Sequence, residues 1–306
     1  MSWLPIVILS YLVLAVSTLV DKFFLSQVIA SSRFYVMWVS ALSLLAFLAA
    51  PAASWIGWDW FVIACIAGAV FTLSLALLYK ALKVGEASRV APLVGGSIPL
   101  IIFLFSLIFR LELFTTHTII AFISLLLGTI LITIMPDNKR QHTDRHWMWW
   151  SLGAGISFAA FFLLTKLVFS NQTSINGFDN TFINGIVWPR VGTLVVLIVM
   201  MFWKKNRSLL AHPFSKVSWK LRWSLISNQA LAAFGFLGQN YAIKLGGSLS
   251  LITALQGVQY AFILLLAALA SWKTPQVLKE YVSFNIIMQK IAALVLIAIG
   301  LYYSAF

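Results

Sequence analysis

The chain has 306 residues, 61% of them hydrophobic and only 9% charged, where soluble domains carry about 25% charged residues; no soluble core of this length needs so much apolar surface. The balance of 21 Lys+Arg against 8 Asp+Glu gives a net charge of +13. The basic residues sit in short connections between apolar runs, which reads as topogenic loop charge rather than a nucleic-acid surface. What remains is a polytopic membrane protein, and the single cysteine, Cys65, excludes an intrachain disulfide or a cysteine-rich metal site.

About 20 apolar residues cross a bilayer as a helix. That window finds ten runs: 3–22, 34–53, 58–80, 90–109, 115–135, 147–169, 183–203, 223–243, 249–271 and 285–305. The first begins at Trp3 without a basic leader and is followed by "DKFF" rather than a small-residue cleavage site, so it reads as a retained span. In the fourth, Pro92 is tolerated in the first turn, whereas Pro99 lies deeper and is expected to kink the helix. Between them Gly95, Gly96 and Ser97 allow close backbone approach. Two connections are polar enough to lie in water, "MPDNKRQHTDRH" (135–146) and "KKNRSLLAHPFSKVSWKLR" (204–222). Tryptophans flank several runs, as in "WIGWDW" and "WMWW", in the manner of an interfacial belt. Seventeen Lys and Arg follow odd-numbered runs, and three (Arg110, Lys166 and Lys244) follow even-numbered ones. The positive-inside rule then puts the odd connections in the cytoplasm of a cell-membrane protein and both termini outside.

The two halves echo each other. At a constant offset of 161 residues, Trp58 meets Trp219, Ala81 meets Ala242, Lys83 meets Lys244, Gly85 meets Gly246 and Gly96 meets Gly257. Five spans is an odd number, so a second copy inserts upside down, as in many secondary transporters. The segment "ALKVGEASRVAPLVGGSIPLIIFLFSLIFRLELFTTHTIIAFISLLLGTILI" resembles the EamA-type domain of the drug/metabolite transporter superfamily. It has the Ala-rich turn, a fourth span with Pro99 near its middle, Glu112 at its end, and a fifth span with the late Gly128. The likeness covers both halves, weakly in the second, where Lys273 replaces the Glu and Tyr260 stands in place of Pro99. It implies an all-α integral membrane protein, with ten transmembrane helices in two inverted five-helix repeats around a central cavity. On this reading residues 1–138 form the first repeat, 139–146 a linker and 147–306 the second. Members usually have cytoplasmic termini, whereas the charge count of this chain places them outside.

Charge inside a membrane defaults to function. Arg190, in "NGIVWPRVG", is the deepest charged residue and reads as an anchor for a carboxylate or other anionic group of a substrate, as half of an ion pair with Asp21 or Asp179, or as a side chain snorkelling towards one face. Asp21, Lys22 and Lys166 lie near span ends, where an interfacial position is the simpler reading. Asp21 is nonetheless the one acidic residue placed to couple transport to an ion. Neutral polar residues fall in columns: Ser10, Ser17 and Asp21; Gly68, Thr72 and Tyr79; Gln229, Phe236 and Asn240 beside Asn228 and Gln239; Thr253, Gln256 and Tyr260; with Asn184 and Trp188 in the seventh span. Such columns face protein or water. The substrate-binding set expected from them is Arg190, Gln239, Asn240, Gln256, Tyr260, Thr72 and Trp188, with Pro92, Gly95, Gly96 and Pro99 as a cavity wall.

These features point to a secondary transporter, an exporter or exchanger, that moves a small neutral, zwitterionic or anionic metabolite by alternating access. No cofactor, metal or nucleic-acid partner is expected; the partners are the substrate and the lipid bilayer. A non-transporting scaffold is the alternative, although a scaffold has no need of polar columns. A membrane enzyme is the weaker rival, since there is no H-E-x-x-H, no G-x-S-x-G and no P-loop, and His142 and His146 sit in a charged connection.

Overall fold

The computed structural model describes residues 3–27, 32–84, 87–133, 146–170, 180–203, 219–245, 248–273 and 284–304. Among them are twelve α-helices, one 3₁₀ segment and no strand. In chain order these are α1 (Trp3–Gln27), α2 (Ser32–Ser43), the 3₁₀ segment (Leu44–Ala52), α3 (Trp58–Val84), α4 (Ala87–Ile108), α5 (Thr116–Thr133) and α6 (His146–Ser170). They continue with α7 (Thr181–Val187), α8 (Pro189–Met201), α9 (Trp219–Lys244), α10 (Leu249–Ala254), α11 (Gln256–Lys273) and α12 (Phe284–Ser304). The linker residues 139–145, and Glu86 at the entrance to α4, lie outside the described residues.

Among the described residues five segments are long and apolar enough to cross a membrane: Trp3–Asp21, Ser32–Ala52, Trp58–Val84, His146–Ser170 and Thr181–Met201. The outside of the bundle is apolar too. Leu113 is 95% exposed, Leu48 81%, Trp58 72% and Phe234 71%, a surface that suits lipid and would be a liability in water. The architecture is that of an all-α membrane protein.

Local chemistry explains where helices run and stop. Over its 27 residues α3 carries no proline, and it places Asp59 in its first turn and Lys83 in its last, so both charges complement the helix dipole. The seventh run divides at Trp188 because Pro189 has no N–H to continue the ladder and becomes the first residue of α8. The ninth run divides at Leu255 without a proline: the Val258 N–H donates to the Leu255 carbonyl at 2.8 Å, a tight three-residue turn. The fourth run is helical through both Pro92 and Pro99, as α4. Pro99 is buried, and a buried proline leaves its freed carbonyl among neighbouring helices rather than in lipid.

The helices pack in pairs: α3 on α6, α9 on α1, α4 on α6, α11 on α1 and α5 on α12. α3 and α8 approach closely. A Cβ at Gly68 would meet the Pro189 carbonyl, and one at Gly192 the Cys65 carbonyl. The Thr193 hydroxyl of α8 donates across the crossing to the Gly68 carbonyl at 3.1 Å, which also accepts from the Thr72 hydroxyl of its own helix at 3.1 Å. The main buried cluster includes Tyr11, Val94, Ile98, Phe161, Ile252 and Leu255. A smaller one holds Phe24, Tyr35, Val36, Leu75, Tyr79 and Leu225. Phe71 and Phe158 pack against both.

Candidate functional site

Polar side chains inside the bundle gather in layers, which α3 and α9 order. In the first layer, Arg190 of α8 is 7% exposed, and its guanidinium carbon lies 5.3 Å from the centroid of Phe71 (α3) and 5.9 Å from that of Phe236 (α9). Phe71, Phe161 and Phe236 pack on one another around it, with centroids 4.9 to 5.9 Å apart. The ring faces favour a cation, yet Nε is buried without a hydrogen-bond partner. Among the described residues no carboxylate pairs with Arg190. Asp21 is engaged elsewhere, and Asp179 lies outside the described residues.

The second layer is acidic. Asp21 near the end of α1 accepts hydrogen bonds from the Tyr35 hydroxyl (α2), from Asn228 Nδ2 at 2.6 Å and from Gln229 Nε2 at 3.3 Å (both α9). Tyr79 of α3 meets Tyr35 edge-on, with centroids 4.9 Å apart. Phe71 and Tyr79 are eight residues apart on α3, as Asn228 and Phe236 are on α9, so the layers are about 12 Å apart along both helices. The α3 order runs from the basic layer to the acidic one and the α9 order runs the other way, so these two helices are antiparallel.

A third group surrounds the break at Leu255. The Tyr11 hydroxyl donates to the Ile252 carbonyl at 2.7 Å and accepts from Gln239 Nε2 at 3.1 Å. From α5, the Thr129 hydroxyl, bonded to the Leu125 carbonyl of its own helix at 2.7 Å, also reaches the Ala254 carbonyl at 3.4 Å. Side-chain hydroxyls thus cover backbone carbonyls that a continuous helix would satisfy itself. Tyr260 lies one helical turn beyond the break, with its ring against Gly95; a Cβ there would come within 3.0 Å of the ring edge at Cε2. Gln256 opens α11 half-buried and makes no side-chain hydrogen bond among the described residues.

The fourth group pins the start of α10. Glu112, in the turn between α4 and α5, accepts from Lys166 Nζ of α6 at 2.6 Å and from the Leu249 N–H at 2.6 Å. It also accepts from the Ser248 hydroxyl at 2.9 Å and the Ser250 N–H at 3.4 Å. Burial acts to raise the Glu112 carboxyl, but the Lys166 ammonium and these donors outweigh it and hold the group below its ordinary value of 4.5.

The structure therefore gathers some of the expected residues and separates others. Arg190 lies against Phe71 of α3 and Thr72 bonds the Gly68 carbonyl of the same helix, while Gln239, Tyr260 and Gly95 lie around the break. Asn240 is buried and donates to the Phe236 carbonyl of its own helix at 2.8 Å. Trp188 sits two residues from Arg190, on roughly the opposite face. Its Nε1–H donates to the Ser54 carbonyl at 3.0 Å, and its ring packs against Trp55 and Phe61. Asn184 exchanges two hydrogen bonds with Ser54 and fixes the same corner. Gly96 packs on Ile130, away from the Tyr260 ring that Gly95 meets. Lys166, read from its position as interfacial, is the ion-pair partner of Glu112. The sequence reading also missed Tyr11 and Tyr35. Their hydroxyl partners lie 14 to 241 residues away, and no local spacing carries that signal.

No protein-family model matches the chain, and no curated protein does. A solved crystal structure, described only as that of a protein, superposes on 98% of this chain and 96% of its own, with a TM-score of 0.64 and 13% identity. A likeness at that identity shows the fold alone. What the comparisons and coordinates define together is an all-helical fold, shared with a solved structure over nearly its whole length and built from helices apolar enough to cross a membrane.

Proposed function

We propose that the chain is a secondary transporter, an exporter or exchanger, of a small neutral, zwitterionic or anionic metabolite, working by alternating access. The observation that carries this reading is Arg190: a buried guanidinium with no carboxylate on it among the described residues, held against aromatic faces beside an interrupted helix. A fixed buried cation is costly unless paired, and a substrate carboxylate is the partner that fits. Helices interrupted at membrane depth are the recurrent design of transporter binding sites.

The packing supports an inverted repeat of five spans. If the runs of the first half are exchanged with those of the second, α3 on α6 becomes α9 on α1, and α4 on α6 becomes α11 on α1; α5 on α12 maps onto itself, while the α3–α8 crossing has only a slight counterpart in α9 on α2. The matched tryptophans Trp58 and Trp219 each open a helix, α3 and α9. This is the layout that the resemblance to EamA-type transporters implies. On this reading all ten runs cross the cell membrane, the loop charge puts both termini outside, and Asp21 is the candidate coupling residue.

The test is flux. Purified protein in liposomes is assayed for counterflow across a panel of amino acids, organic acids, sugars and cationic drugs. Carboxylate-bearing compounds should exchange, and Arg190→Ala and Gln256→Ala should each lower the rate at least tenfold without loss of folded protein. Flux confined to cationic drugs, or undiminished in both variants, overturns the site assignment.

A further inference from the structure

The acidic layer has a feature that the substrate site does not use. All three donors to Asp21 converge on Oδ1: the Tyr35 hydroxyl, Asn228 Nδ2 and Gln229 Nε2. Among the described residues Oδ2 receives none. Asn228, itself 5% exposed, faces Asp21 with its amide donor and leaves its own Oδ1 buried without a partner. No described cation pairs with the carboxyl. We propose that Asp21 is a proton-binding site, that Oδ2 is the atom which takes the proton, and that its loading and release couple substrate movement to the proton gradient. The coupling rests on the transporter reading; the proton site does not.

Three arguments favour a proton over other occupants. The first is the pattern of donors. In a neutral carboxylic acid the carbonyl oxygen accepts and the hydroxyl oxygen carries hydrogen, which matches a crowded Oδ1 and an open Oδ2.

The second is the sign of the shell. Sodium or another metal cation needs several oxygen ligands turned towards it. Here Tyr35, Asn228 and Gln229 present hydrogens to the carboxyl. The third is distance. The acidic layer stands about 12 Å from Arg190 along the helix axis. That is well beyond the few ångströms between the carboxylate and ammonium of an α-amino acid, so Asp21 does not hold the other end of a substrate bound at Arg190.

The groups facing Asp21 leave it as the one acid there. From α2 comes the phenol of Tyr35 and from α3 that of Tyr79, while α9 contributes only the neutral amides of Asn228 and Gln229. From α11, Gln259 reaches α1 one turn earlier, at the Thr18 hydroxyl. On α1 itself Lys22 follows, with a side chain outside the described residues. The step is a simple protonation. An O–H bond forms at Oδ2 with a proton from water at the end of the bundle where α1 stops, and the same bond breaks on release.

The experiment is infrared difference spectroscopy of the full chain in liposomes, titrated with pH alone. Wild type should show a carboxylic C=O band that titrates, is lost in Asp21→Asn, and is unchanged when potassium is replaced by sodium. Asp21→Glu should keep a titrating band, and Tyr35→Phe, which removes one donor to Oδ1, should shift its frequency. Thermal unfolding checks that each variant is folded. Identical difference spectra for wild type and folded Asp21→Asn, or a titration displaced by sodium, overturn the proposal. Where a panel substrate exchanges, Asp21→Asn should keep exchange and lose accumulation driven by a pH gradient; retained accumulation overturns the coupling. A titrating Asp21 band without flux of any panel compound leaves the proton site standing and removes the transporter reading.

Discussion

Glu112 ties three segments with one carboxylate, so its loss is felt by the α4–α5 turn, by α6 and by α10. Glu112→Gln leaves Lys166 without its charge partner and weakens the bonds to Ser248 and Leu249. Breaking a buried pair by removing one member costs about 3 kcal/mol, which should appear as a lower unfolding temperature in detergent. The pH dependence has a definite sign. Since the folded carboxyl sits below its ordinary value of 4.5, the unfolded chain binds more protons, and stability rises with pH through that range. The contribution is full above 4.5 and is lost as the pH falls through the lower folded value; a flat unfolding temperature across this window would contradict the ion pair. Glycine makes a second prediction at this scale. Gly68→Ala and Gly192→Ala each press a methyl on backbone carbonyl and should cost about 1–3 kcal/mol. Gly153→Ala meets only the Leu77 side chain at 3.5 Å and should be neutral in the same melt. Arg190, Gln239, Thr72 and Asp21 were legible as single residues because polarity inside an apolar run is conspicuous. Glu112 was legible only as a motif position, since its partners Lys166 and Ser248 are brought to it by folding.

At the scale of elements, the two broken runs differ in how they are held. The α7–α8 break follows from Pro189 and is anchored by Ser54, Asn184 and Trp188 at one corner. The α10–α11 break has no proline and depends on side-chain hydroxyls from α1 and α5. Tyr11→Phe removes the donor to the Ile252 carbonyl and the acceptor of Gln239. It should cost about 1–3 kcal/mol, against a far smaller change for Tyr302→Phe, a tyrosine 62% exposed; equal melts for the two would remove Tyr11 from the break. Helix positions could be read from twenty-residue apolar windows, because length and hydropathy are local properties. The break at Leu255 could not, because it is a tertiary matter of which hydroxyls cover which carbonyls.

For the whole molecule, orientation and motion are the open quantities. Seventeen basic residues follow odd-numbered runs, so a C-terminal reporter that is active only outside the cytoplasm should be active; activity only with a cytoplasmic reporter would overturn the charge count. α3 packs on α6 and α9 on α1, and Arg190 of α8 faces Phe71 of α3 and Phe236 of α9. The central claim is that the Arg190 layer opens alternately to the two sides. It is tested most directly by replacing Cys65 with alanine, placing a cysteine at Thr72 beside Phe71, and treating sealed vesicles of each orientation with a membrane-impermeant maleimide. Alternating access predicts modification of Thr72→Cys from both faces. Modification from neither face, or from one face alone, would contradict it.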